Sequence, residues 1–195
     1  MPATVSKTLV LALVCLAASL AEAAPVDDFL TAIRGHCGKA FAGRIVANEP
    51  AMPDDPFAGK PLVMHVRECG DEVLRIPFHV GEDRSRTWVL TRTREGLRLK
   101  HDHRHADGKP DSLTMYGGDT AAPGSASRQS FPVDAESRAL FVREGRQVSL
   151  TNTWAMEIEP GRRFAYELTR PGRMFRVEFD LAKPVPPPPA PWGAD

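Results

Sequence analysis

The chain carries no surplus of charge. Its 25 Lys and Arg balance 25 Asp and Glu over 195 residues, which argues against a general nucleic-acid binder, since such proteins carry a basic excess. No phosphate loop or dinucleotide glycine pattern is present. Ser125 and Ser127 lack the strand-turn-helix context of a nucleophile elbow. Asp102, Asp107 and Asp111 lack the every-second-residue oxygen spacing of a calcium loop. Cysteine is scarce, at three residues, whereas the hydrophobic share of 42% is ample for a packed core and excludes wholesale disorder.

Long apolar runs are also missing. The one candidate, Thr8 to Leu20, follows Lys7 and precedes Ala21-Glu22-Ala23, the pattern of a cleaved leader spanning residues 1–23. At thirteen residues it is shorter than the roughly 20 needed to span a bilayer. The expectation is an exported chain, periplasmic or secreted, with no stable membrane insertion after cleavage. Cys15 leaves with the leader, and Cys37 and Cys69 then form one disulfide in an oxidising compartment. Cys37, flanked by Gly35-His36 and Gly38, has a second reading as a thiol nucleophile, but no companion motif supports it.

In the remainder, residues 26–38 read as a short helix, with Asp27 and Asp28 at its start and Phe29, Leu30, Ile33 and Cys37 on one face. Period two then takes over. Apolar residues alternate with polar ones through 61–68, 72–80, 147–159, 163–169 and 174–181, as strands with one buried face require. Further strands are expected at 40–47, 86–93 and 97–105. The turns Glu159-Pro160-Gly161-Arg162 and Arg170-Pro171-Gly172-Arg173 put Pro and Gly where fixed φ and positive φ are wanted. Only 134–144 interrupts the meander, as a second short helix. Eight or more antiparallel strands manage their edges best by closing into a barrel, with a two-sheet sandwich as the alternative. The expected organisation is a mainly β domain over 24–181 and a proline-rich extended tail over 182–195.

A helix followed by an antiparallel meander resembles the architecture of the lipocalin-like barrels. That likeness implies an interior able to enclose a small ligand. Inward candidates are Asn152, Trp154, Met156 and Tyr166, and the aromatics Trp88, Phe175 and Phe179 read as core or cavity lining.

Leu97 to His105 reads Leu-Arg-Leu-Lys-His-Asp-His-Arg-His. On a regular strand His101, His103 and His105 continue the inward line of Leu97 and Leu99, while Arg98, Lys100, Asp102 and Arg104 face water. Same-face neighbours lie about 7 Å apart, so two imidazoles could converge on zinc or copper with a third ligand from elsewhere. Asp107, Asp111, Asp119, His65 and His79 are the candidates for that third ligand. The alternative is structural, with the histidines bonded to carbonyls or to Asp107 and Asp111. Leu97–Thr120 as a block resembles a stretch of small exported bacterial proteins of unassigned activity, which implies no reaction.

The preferred expectation is a non-enzymatic binding module for a small molecule or a metal ion. A hydrolase, with His103 as base oriented by Asp107 or Asp111, is the second. A structural or inhibitor-like envelope protein is the third. No nucleic-acid partner is expected, and the sequence sets no oligomeric state.

Overall fold

The computed structural model describes residues 25–52 and 55–194; the expected leader lies outside them. Helix α1 (Pro25–Arg34) leads into strands β1 (Ala40–Glu49), β2 (Leu62–His65), β3 (Glu68–Cys69), β4 (Val73–Val80), β5 (Asp83–Arg92) and β6 (Leu97–His103). Strands β7 (Tyr116–Asp119) and β8 (Arg128–Pro132) follow, then helix α2 (Ala135–Arg143) and a 3-10 turn (Gln147–Thr151). Strands β9 (Thr153–Glu159), β10 (Arg163–Arg170) and β11 (Arg173–Val185) complete the sheet.

Ten strands form one antiparallel sheet in the order β7-β6-β5-β4-β2-β1-β11-β10-β9-β8, with β3 paired to β4 off this path. The two ends of that order meet through a bridge between Gly118 and Val133, so the sheet is nearly closed into a barrel, with two helices, as the alternation required. Even-numbered residues of β4 and β9 (Leu74, Ile76, Trp154 and Met156 among them) form the core. The outer positions of β8 to β11 carry a charge ladder, in which Arg128, Arg163 and Arg176 each contact two or more of Glu157, Glu159, Glu167 and Glu178.

Closure rests on two glycines. A Cβ on Gly117 would lie 1.8 Å from the Leu99 carbonyl oxygen on β6, and one on Gly118 would lie 1.9 Å from that of Pro132 on β8. Strand β7 is therefore pressed between two backbones where no side chain fits. Tyr116–Asp119 thus runs as a strand through the Gly-Gly pair rather than bending there. Ser137 on α2 seals the spot, accepting the Gly117 N–H at 2.7 Å.

Helix α1 plugs one end. Val26, Phe29, Leu30 and Ile33 are buried, and Asp27 pairs with Arg92 at the end of β5, at 2.8 Å. The helix ends at Arg34 rather than at residue 38, because Gly35 and the left-handed Gly38 turn the chain. Cys37 and Cys69 form the disulfide, tying this turn to β3. No described helix is long and apolar enough to cross a membrane.

Three further expectations need correction. The strand expected over 147–159 begins only at Thr153. Its first residues wind into the 3-10 turn because the chain must reverse after α2, and Val148 is consequently 66% exposed. The strand expected over 61–68 breaks between His65 and Glu68. Strand β11 runs on to Val185, into the expected tail. Beyond it the chain returns to the barrel: Trp192 N–H donates to the Arg84 carbonyl (3.1 Å), Arg84 Nη1 to the Ala190 carbonyl (3.1 Å) and Arg67 Nη2 to the Ala194 carbonyl (3.0 Å). Pro191 is buried. The tail thus docks rather than trailing into solvent.

A matched pair of substitutions tests the closure. Gly161 has φ +71° but open space around its Cβ position, so Gly161→Ala is expected to cost about 1 kcal/mol from the left-handed backbone alone. Gly117→Ala must push β6 and β7 apart and is expected to cost about 3 kcal/mol. Urea unfolding of both variants checks the order; equal losses would mean that β7 is not gripped as described.

Candidate functional site

The barrel is open at the end opposite α1. Helix α1 sits beside the Arg92 end of β5, while Arg86 near the start of β5 and Arg170 at the far end of β10 border a cavity of about 320 Å³. Its apolar wall includes Phe57, Phe78, Trp88, Trp154, Leu168 and Phe175. Both tyrosines of the chain, Tyr116 and Tyr166, line it. The rings pack on one another: Trp88 stacks on Tyr166 at 4.5 Å between centroids and on Phe78 at 4.9 Å, and Phe57 lies 5.0 Å from Phe175. Such offset stacks add to burial and hold the rings as a rigid wall.

The polar groups of the floor follow from the alternation in β6. His101 and His103 both face the cavity, as expected. His101 is only 3% exposed and both its nitrogens are engaged. Nδ1 lies 3.1 Å from the Tyr116 carbonyl, which can only accept, so Nδ1 carries the proton. Nε2 then accepts from the Tyr166 hydroxyl at 2.7 Å. Tyr116 stacks on the His101 ring at 4.8 Å and places its hydroxyl 3.3 Å from His103 Nε2. Burial, then the neighbouring His103, lowers the His101 pKa to about 3; burial, then Arg86, lowers that of His103 to about 4. Burial pushes Tyr116 up to about 12 and Tyr166 well above its ordinary value. The floor is neutral near pH 7.

The other candidates sit elsewhere. Strand β6 ends at His103, and His105 falls in the following turn, where it is exposed. Asp107 accepts from the Lys109 N–H (3.0 Å) and Asp111 from the Leu113 N–H (2.9 Å), so each shapes its own loop instead of meeting a histidine. Asp119 pairs with Arg98 outside the barrel, at 2.7 Å. Among the described residues, no three His, Cys, Asp or Glu side chains come together as a group able to hold a metal ion. Zinc and copper therefore find no ligand set on β6. Asn152, Trp154 and Tyr166 line the cavity as expected, but Met156 is wholly buried in the core and does not. Lys100 and Asp102 do point outward, yet both are buried. Lys100 meets Asp134 and Glu136 beside α2, and Asp102 is held by Arg104 and Thr114.

Four arginines at the cavity escaped the sequence reading: Arg86, Arg146, Arg170 and Arg173. Arg86 is paired with Asp83. Arg170 donates to the Asn152 side chain at 3.3 Å, and Arg173 to the Pro50 and Met174 carbonyls. The available signal was the arginine on each side of Pro171-Gly172. Comparison of the chain with protein-family models, with curated proteins and with solved structures finds no match.

Two measurements check the floor. Both cavity histidines have folded pKa values below the 6.5 of the unfolded chain, so below that pH the unfolded state takes up protons that the folded state refuses. Each is expected to remove about 1–2 kcal/mol of stability between pH 7 and pH 5. His103→Asn should remove its share of that slope; an unaltered profile would show that His103 titrates normally in the folded protein. Tyr166→Phe leaves His101 Nε2 without its donor and is expected to cost about 1–3 kcal/mol at pH 7.

Proposed function

We propose that the protein is a binding module that holds a small organic molecule in the open end of its barrel. The observation that carries this is the cavity itself: about 320 Å³, walled by aromatic rings and bordered by a few fixed polar groups. That volume and composition suit a small-molecule site. The plug of α1 at the other end lets the barrel stay folded while this end is left unfilled.

A binding role is preferred to hydrolysis for a specific reason. His101 has no free nitrogen, and His103 is too weak a base near pH 7 to take a proton efficiently. Asp107 and Asp111 do not orient either ring. The Cys37–Cys69 bridge supports an exported, oxidising setting.

The test uses the neutral fluorophore N-phenyl-1-naphthylamine, whose emission rises in apolar surroundings. One saturable site is expected, with quenching of tryptophan emission from Trp88 and Trp154. Leu168→Trp fills the cavity from the β10 wall and should weaken binding about tenfold or more, the scale of a lost apolar pocket. Leu113→Trp repeats the test from a loop residue, where a bulky ring cannot disrupt the sheet. Undiminished binding in both variants would place the site elsewhere.

A further inference from the structure

We propose that the ligand is an amphipathic organic anion, its apolar body against the aromatic wall and its carboxylate, sulfonate or phosphate head held by Arg146, Arg170 and Arg173. This rests on the binding role proposed above and specifies its ligand class.

Among the described residues, those lining the cavity include four arginines and no carboxylate. Arg86 is neutralised by Asp83, whereas Arg146, Arg170 and Arg173 form no salt bridge among the described residues. On the outer face of β8 to β11 the arginines are paired instead: Arg176 alone reaches Glu157, Glu167 and Glu178.

Arg170 and Arg173 are directly opposite one another across the β10–β11 hairpin. Like charges in that position repel and destabilise a hairpin. Burial, then Arg173, lowers the Arg170 pKa from its ordinary value. An anion seated between the two guanidinium groups removes the repulsion and supplies the missing acceptor. Each fork has five N–H donors, and the bonds to Asn152, Pro50 and Met174 use few of them.

At the floor, His101 and His103 are neutral near pH 7 and Tyr116 and Tyr166 keep their protons. Arg86, the cation that acts on His103, is already paired with Asp83, so the head belongs at the mouth and the apolar body inside.

A matched pair of probes separates this from the binding role alone. 1-Anilinonaphthalene-8-sulfonate and N-phenyl-1-naphthylamine share their rings and differ by the sulfonate. The wild-type protein should bind the sulfonate about tenfold more tightly, the fold-change expected of charge-assisted hydrogen bonds, and the preference should shrink on raising salt. The double variant Arg170→Gln, Arg173→Gln, with its folding verified by thermal melting, should bring the ratio of the two affinities close to one. A ratio near one in the wild type, or a high ratio that survives in the variant, overturns the anionic assignment while the cavity remains a binding site. If neither probe binds, the binding role falls, and the anionic ligand with it.

Discussion

The site depends on how closely three backbones approach at Gly117 and Gly118. Strand β7 can lie between β6 and β8 only because neither residue carries a Cβ. That contact nearly closes the sheet and also fixes Tyr116, the residue just before the pair. Tyr116 supplies the carbonyl that sets the His101 tautomer, the ring that stacks on His101 and the hydroxyl near His103. One steric constraint thus propagates through a single side chain into the polarity of the cavity floor.

Polar satisfaction divides the molecule in an informative way. Among the described residues, the buried polar side-chain atoms without a partner belong to His36, Asn48, His65, His79 and Gln129, none of which lines the cavity. His65 and His79 face outward from β2 and β4 yet are buried. The returning tail passes from Val185 beside β1 to Trp192 beside the start of β5, with β2 and β4 between. A proline-rich segment suits that path because proline brings no N–H that would need a partner against the sheet. Burial, then His65, lowers the His79 pKa to about 4, so it packs there as a neutral ring.

Much of this was legible in the sequence wherever a regular strand ran its expected length. Period two located most of the barrel, placed Leu97, Leu99, His101 and His103 on one face, and identified Asn152, Trp154 and Tyr166 as facing inward. It failed where the strand stopped. Parity beyond His103 has no meaning once the chain turns, which is why His105 left the site. Parity also cannot report what covers an outer face, so Lys100 and Asp102 were expected in water and are instead buried against α2, Arg104 and Thr114. Strands β7 and β8 were invisible because Gly-Gly and a five-residue Arg-Gln-Ser-Phe-Pro segment carry no alternation long enough to read.

The arginines at the mouth were missed for a different reason: they sit in turns and at strand ends, where charged residues are ordinary. Their meaning emerges only when the hairpin register sets Arg170 opposite Arg173 and α2 brings Arg146 to the same opening. A barrel end built for stability alone would carry opposite charges across such a hairpin, as Glu167 and Arg176 do along the outer ladder. Two like charges facing one another beside an apolar cavity instead leave an electrostatic strain, modest while the mouth is solvated and larger once a bound apolar body displaces water. An apolar body bringing an anionic head, as proposed above, would relieve that strain, because the desolvation that strengthens the repulsion between the guanidinium groups strengthens their attraction to the head as well.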